Sequence, residues 1–313
     1  MMMNYYLIIF FLLFSVGVCG LLYSYFKRRS ENKVLSEYIP FISSSVYTFF
    51  LKLKIMKAAP VTKSFVNALH ILKKSISKTD YKYAVPWYLV LGGEGSGKSS
   101  ILESLNDLFV PGVDKSILST SACQWFMYTN ALAIEVSSSV FDITSASKKI
   151  NNNWQLLANL FCYYRPRKPL DGIVLTIPYD VLVGSEAYPG SFKTMAQNIF
   201  DNIWWMQQKI NIRIPIYIVI TKFDKAKGVN DLIYHLNINE KDQIFGWSSI
   251  YGINEAYSPV WIDEAITYII GVVNDLILKV AVKSLSEDTY SGILSVPYEI
   301  NNIVDNLKAR RLG

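Results

Sequence analysis

Cysteine is scarce: there are three in 313 residues, Cys19, Cys123 and Cys162, with no spacing that pairs them. That excludes a disulfide-stapled secreted scaffold and fits buried thiols in a reducing compartment. Internal repeats and low-complexity tracts are also lacking, which excludes a repeat architecture. Charged residues are only 18% of the chain, against 51% hydrophobic. The net charge of +6 is unevenly spread. Residues 27–83 hold twelve Lys or Arg and three acids, while the remainder is slightly acidic. A basic excess confined to that stretch suits anionic lipid headgroups. Its lysines are scattered along a linker, so no nucleic-acid partner is expected.

Residues Tyr5 to Phe26 carry no charge and are long enough to cross a bilayer as a helix. No Lys or Arg precedes this run and no small-x-small site closes it, which argues against a cleaved signal peptide. Val18 is a poor residue for the position before a lipidated Cys19. The expectation is a retained transmembrane anchor, and Lys27-Arg28-Arg29 at its end places the main domain in the cytoplasm. The second uncharged stretch, Tyr38 to Leu51, is short and contains Pro40 and three serines. It reads as an interfacial or re-entrant segment rather than a second span.

What is present in strength is a glycine loop. AVPWYLVL, a buried-type strand, runs into Gly92-Gly93-Glu94-Gly95-Ser96-Gly97-Lys98-Ser99. This is G-x-x-x-x-G-K-[ST], the phosphate-binding P-loop, and all eight residues are candidates for phosphate binding. Glycines let the backbone turn its N–H groups onto phosphate oxygens at a helix start. Lys98 would reach the terminal phosphates and Ser99 would ligate Mg²⁺.

Around the loop, Val61 to Lys78 has the apolar spacing of one helical face. Strands are expected at 84–91, 172–178 and 214–221, a hairpin at 123–128 and 131–136 around Thr129-Asn130, and helices at 98–109, 148–163 and 191–209. The run IPIYIVIT at 214–221 is of the kind buried on both faces of a parallel sheet. Two amphipathic helices, 262–282 and 293–310, complete the chain, and Asn274 and Asp275 argue against the first being a span. The expected fold class is α/β, a doubly wound P-loop GTPase-like domain at 83–260. Residues 1–29 supply the anchor and basic flank, 30–82 a basic amphipathic linker and helix, and 261–313 a C-terminal helical extension.

At the end of the 214–221 strand stand Thr221-Lys222-Phe223-Asp224, a T-K-x-D element. An aspartate here accepts two hydrogen bonds from guanine N1–H and the 2-amino group, which adenine lacks, while the lysine stem packs along the base. Thr221, Lys222 and Asp224 are therefore candidate base-binding residues, and the expected cofactors are GTP or GDP, with ATP disfavoured, and Mg²⁺.

Several blocks resemble the IcmF/TssM family, the large inner-membrane component of type VI secretion systems. YAVPWYLVLGGEGSGKSSILESL is similar to that family's L-P-W-Y-led P-loop segment, and TSACQWFMYTNALAIEV resembles its T-x-x-C-D-W-W-F stretch. WQLLANLFCYYRPRKPLDGIVLTIPYDVL is similar to its W-x-x-L…R-x-R-x-P-L-N-G block, and IPIYIVITKFDKAKGVNDLIYHL to its T-K-x-D segment. The resemblance covers about 58–310. It implies a cytoplasmic nucleotide-binding domain at the bacterial inner membrane, acting as a scaffold in a hetero-oligomer with inner-membrane and baseplate components and lipids. Where the family has D-T-A-G after its third strand, this chain has Glu135-Val136-Ser137-Ser138. The family aspartate holds Mg²⁺ through water, so Glu135 is either a longer substitute or only a strand-end acid. Thr120 fits a switch threonine or a simple loop residue. No glutamine follows to orient water, so hydrolysis is expected to be slow or absent. Arg165 and Arg167 read as structural rather than phosphate partners. The alternative function is a membrane-anchored small GTPase in signalling or targeting. T-K-x-D argues against a general ATPase.

Overall fold

The structure is a computed structural model that describes residues 60–76, 80–105, 108–110, 120–141, 150–184, 192–241, 243, 245–283 and 285–308. The anchor expected at 5–26, its basic flank and the 38–51 segment lie outside the described residues. Among those described, no helix is long and apolar enough to cross a membrane.

Five strands form one mixed sheet: β1 (Trp87–Gly92), β2 (Cys123–Met127), β3 (Leu132–Val136), β4 (Gly172–Pro178) and β5 (Ile216–Thr221), in the order β2-β3-β1-β4-β5. β2 and β3 are the antiparallel hairpin expected around Thr129-Asn130, and the remaining pairs are parallel. β1 is central. The chain passes from it first to the β2–β3 hairpin, whose β3 pairs with β1 on one side, and later to β4 on the other. That reversal opens a crevice at the carboxyl ends of the strands, where the glycine loop begins.

Alternation along β1 sorts the two faces. Trp87, Leu89 and Leu91 join the larger core with helices α1 (Pro60–Ser75), α3 (Asn152–Tyr164) and α5 (Phe192–Ile210). Val90 points the other way, into a smaller cluster with Leu102 of helix α2 (Lys98–Ser104), Phe126, Tyr128 and Ala133. Phe65 of α1 sits edge-on to Trp125 at 5.1 Å and to Phe161 at 5.4 Å. Trp125 Nε1 donates to the buried Ser64 Oγ at 2.6 Å, so the indole N–H is buried without losing its hydrogen bond. Each such fully buried aromatic contributes about 1.5–3 kcal/mol through removal from water.

Between β4 and β5 lies a one-turn helix, α4 (Tyr179–Leu182). After β5 come α6 (Val229–His235), α7 (Ile238–Lys241), α8 (Val260–Ala281), α9 (Glu287–Leu294), α10 (Val296–Asn302) and α11 (Val304–Lys308). Ile266, Val273, Ile277, Ile293, Val296 and Ile300 from these helices join the larger core. Tyr179 Oη donates to Glu299 Oε2 at 2.5 Å and Asn306 Nδ2 to the Leu182 carbonyl at 2.5 Å, tying α10 and α11 to the segment after β4.

Four expectations are corrected. The helix after the glycine loop stops at Ser104 rather than 109, where Leu105 leaves helical geometry. The first strand starts at Trp87, later than 84, because Tyr81–Tyr83 form a 3-10 turn. The 293–310 helix is three short ones: Pro297 lies in the first turn of α10, and a helix cannot run through a proline without losing a hydrogen bond. Finally, β5 is not buried on both faces. Ile216, Tyr217 and Ile218 are 44, 50 and 48% exposed, because β5 is the sheet's edge among the described residues.

Candidate functional site

A cavity of about 850 Å³ opens at the carboxyl ends of β1, β3 and β5. Its walls include Glu94 through Ser99, Thr120, Glu135, Ser137, Ser138, Thr221, Lys222 and Asp224. Residues far apart in sequence, singled out for phosphate, metal and base, are thus brought to one cleft. Gly92 and Gly93 stand behind its wall, holding the lysine.

The loop is locked by its neighbours. A Cβ on Gly92 would meet Thr176 Oγ1 at 2.2 Å and Ser96 Oγ at 2.5 Å, so only glycine fits where β1 leaves the sheet. Gly97 has φ +83°, the left-handed region, as the residue that begins α2. Ser96 Oγ and Thr176 Oγ1 share a hydrogen bond of 2.8 Å, and Thr176 Oγ1 donates to the Leu91 carbonyl at 3.1 Å. Thr221 Oγ1 donates to the Ser96 carbonyl at 2.8 Å. The Thr221 hydroxyl therefore buttresses the glycine loop with its one proton.

Lys98 is 7% exposed, and its Nζ donates to the Gly93 carbonyl at 2.7 Å and the Gly92 carbonyl at 3.1 Å. Burial lowers its pKa, opposed by Glu135 and Glu94. The ammonium donates to neutral carbonyls, a desolvated cation with room for an anion. Ser99 Oγ lies 2.9 Å from both Glu135 oxygens and shares its one proton between them. The register explains the meeting: Glu135 is paired with Val90 across β1 and β3, so its side chain emerges on the α2 face.

Thr120 lines the cleft, but its hydroxyl caps the start of β2, accepting from the Cys123 N–H at 3.2 Å and donating to the Cys123 carbonyl at 3.0 Å. Cys123 also faces the cavity. Burial pushes its thiol up to about 12, so it is no nucleophile near neutral pH. Among the described residues no group of three or more His, Cys, Asp or Glu could hold a metal. Ser99 and Glu135 supply two hard oxygens, which is what Mg²⁺ takes from protein when phosphates fill its other positions.

Arg165 and Arg167 lie at the opposite end of β1. Arg165 Nη1 and Nη2 each donate to Asp171 Oδ2 at 3.1 Å, and the guanidinium lies 4.5 Å from the centre of the Trp87 ring. Arg167 pairs with Asp80 and lies 4.1 Å from the centre of the Tyr83 ring. Their role is structural. Sequence reasoning missed Thr176 and Asp180. The buried Asp180, two residues past β4, holds Lys222 at 3.7 Å and pairs with Lys225. A polar residue near the carboxyl end of an apolar strand was the available signal for each.

The family model for the IcmF-related N-terminal domain matches residues 147–310, a span that contains T-K-F-D but not the glycine loop. Among curated proteins, the type VI secretion system component TssM1 of Pseudomonas aeruginosa is similar, 29% identical over 191 residues. That alignment covers 58% of this chain and 17% of the relative.

Proposed function

The chain belongs to the IcmF/TssM family, and from that premise we propose that it is a membrane-anchored structural subunit of a type VI secretion system whose P-loop GTPase-like domain binds guanine nucleotide. The observation that carries the nucleotide reading is the convergence of Lys98, Ser99, Glu135 and Asp224 on one cavity.

The parts divide by chemistry. The backbone N–H groups of Gly93 to Ser99 bind phosphate oxygens, and Lys98 exchanges two neutral carbonyl partners for an anionic one. Because burial disfavours its charge, a counter-ion at Nζ restores the ordinary preference for the protonated form. Ser99 and Glu135 would hold Mg²⁺, which, when bound, neutralises charge on the β- and γ-phosphate oxygens. Lys222 and Asp224 face the base. Ser137 and Ser138 line the cleft where the family carries its γ-phosphate sensor. Ser137 Oγ is engaged with Ser139 Oγ at 2.9 Å, and no glutamine follows Ser138 to orient an attacking water.

Turnover is therefore slow, and nucleotide serves assembly or stability more than power. Small GTPases without an activator already run at only about 10⁻⁴ to 10⁻² per second. Phosphate release from the full chain decides this. A rate at or below that range, with Lys98→Ala lowering occupancy, supports the scaffold. A rate above about one per second that Lys98→Ala abolishes identifies a motor and overturns it. The uncharged run at 5–26 and its basic flank support an inner-membrane anchor with the main domain cytoplasmic, among inner-membrane and baseplate partners. Labelling of an engineered cysteine near residue 230 by an impermeant reagent added from the periplasm would contradict that orientation.

A further inference from the structure

Two lysines bracket Asp224 in the sequence, and both end on one buried oxygen. Lys222 Nζ lies 3.7 Å from Asp180 Oδ2, and Lys225 Nζ is hydrogen-bonded to the same atom. The other carboxylate oxygen, Oδ1, accepts from the Val181 N–H at 3.1 Å. Asp180 is 4% exposed and stands behind the residues that line the cavity.

The loop needs such a hold. Lys222 has φ +54° and ψ +29°, a left-handed conformation that a side chain with a Cβ adopts only when its surroundings impose it. That turn starts the 3-10 helix Phe223–Lys225 and sets where Asp224 stands. The Asp224 backbone is fixed as well, since its carbonyl accepts from Asn230 Nδ2 at 3.0 Å. Asp180 itself is rigidly mounted, directly after β4 and beside Tyr179, which α10 holds through Glu299.

We propose that Asp180 is the positioning residue of the base-recognition loop: it clamps Lys222 and Lys225 so that Asp224 meets the base edge, and it sets guanine selectivity without touching nucleotide. This rests on the guanine-nucleotide reading above. Affinity for phosphate, governed at the other wall of the cleft, does not depend on it.

The test titrates fluorescent GTP, fluorescent ATP and inorganic tripolyphosphate against the full chain in detergent, native and with Asp180→Asn or Asp180→Glu. Asp180→Asn lowers the preference for GTP over ATP about tenfold, the scale of one lost base hydrogen bond. It leaves tripolyphosphate affinity within about twofold, and Asp180→Glu, which keeps the charge, recovers most of the preference. Lys225→Gln, at a half-exposed side chain, moves the preference in the same direction should Asp180→Asn fail to fold. An unchanged GTP-to-ATP ratio in the folded variant overturns the proposal. So does a parallel loss of GTP and tripolyphosphate affinity, which marks a merely structural role. A native chain with no guanine preference overturns the nucleotide reading first and this proposal with it.

Discussion

Asp171→Ala removes the only carboxylate that the described structure places against Arg165, a guanidinium 1% exposed. In the native fold Asp171 Oδ2 also accepts from the Trp87 N–H at 2.8 Å, at the point where β1 enters the sheet. Its other oxygen meets Lys168 at 2.6 Å, but that lysine is 59% exposed and contributes little. Breaking a buried pair by deleting one partner costs about 3–5 kcal/mol, because the remaining charge is left uncompensated. A domain has about 5–15 kcal/mol of stability in total, so this is a large fraction. At about 2–4 °C per kcal/mol for a chain of this size, Tm falls by roughly 6–20 °C. Calorimetric or spectroscopic melting of the full chain measures it. The double variant Arg165→Met, Asp171→Leu recovers most of the loss, since a well-packed apolar pair is often as stable as a buried ionic one. There is a pH signature too. Burial raises the Asp171 pKa, but hydrogen bonds from Lys168, the Trp87 N–H and Arg165 outweigh it and hold the carboxyl below its ordinary value. Its stabilisation is therefore complete above the unfolded value near 3.8 and disappears as pH falls through the folded one. Asp171→Ala lacks that acid-side loss. A cost under about 1 kcal/mol would refute the reasoning, since it would mean Arg165 does not depend on its partner.

Three further outcomes concern the cleft. Gly92→Ala drives a methyl into Thr176 Oγ1 and the Thr176 carbonyl, and destabilises by about 1–3 kcal/mol while weakening phosphate binding, measurable by melting with and without nucleotide. Ser99→Ala frees Glu135 and removes the oxygen proposed to hold Mg²⁺, so nucleotide affinity loses its Mg²⁺ dependence while metal-free binding changes little, as titration in EDTA would show. Because burial lowers the Lys98 pKa, the folded chain loses that proton before the unfolded one as pH rises toward 10.5. Denaturant unfolding should thus show a stability contribution that rises with pH in that window, while tripolyphosphate affinity falls across it.

The sequence showed the cleft better than it showed the surface. β4 has the bounds 172–178 expected from GIVLTIP, and the glycine loop, Glu135 and T-K-F-D converge because each lies at the carboxyl end of a strand of the same sheet. Motif spacing encodes that, since strand ends at one edge of a sheet are near each other whatever lies between them. The exposure of β5 was not legible. IPIYIVIT shows strand preference, but the position of a strand in the sheet depends on pairing order, which no local pattern carries. The break of 293–310 was partly legible, in Pro297. That Thr221 supports the glycine loop, and that Asp180 holds two lysines, arises from tertiary proximity alone.

The central claim is that this cleft takes a guanine nucleotide through Asp224, and isothermal titration with GTP, ATP and xanthosine triphosphate in Mg²⁺ tests it most directly. A missing base hydrogen bond costs about 1–3 kcal/mol, so the native chain binds GTP at least about tenfold more tightly than ATP. Asp224→Asn loses that preference and gains one for xanthine, which offers an acceptor where guanine has an amino group. Equal affinity of the native chain for GTP and ATP, or a preference that Asp224→Asn leaves in place, would contradict it.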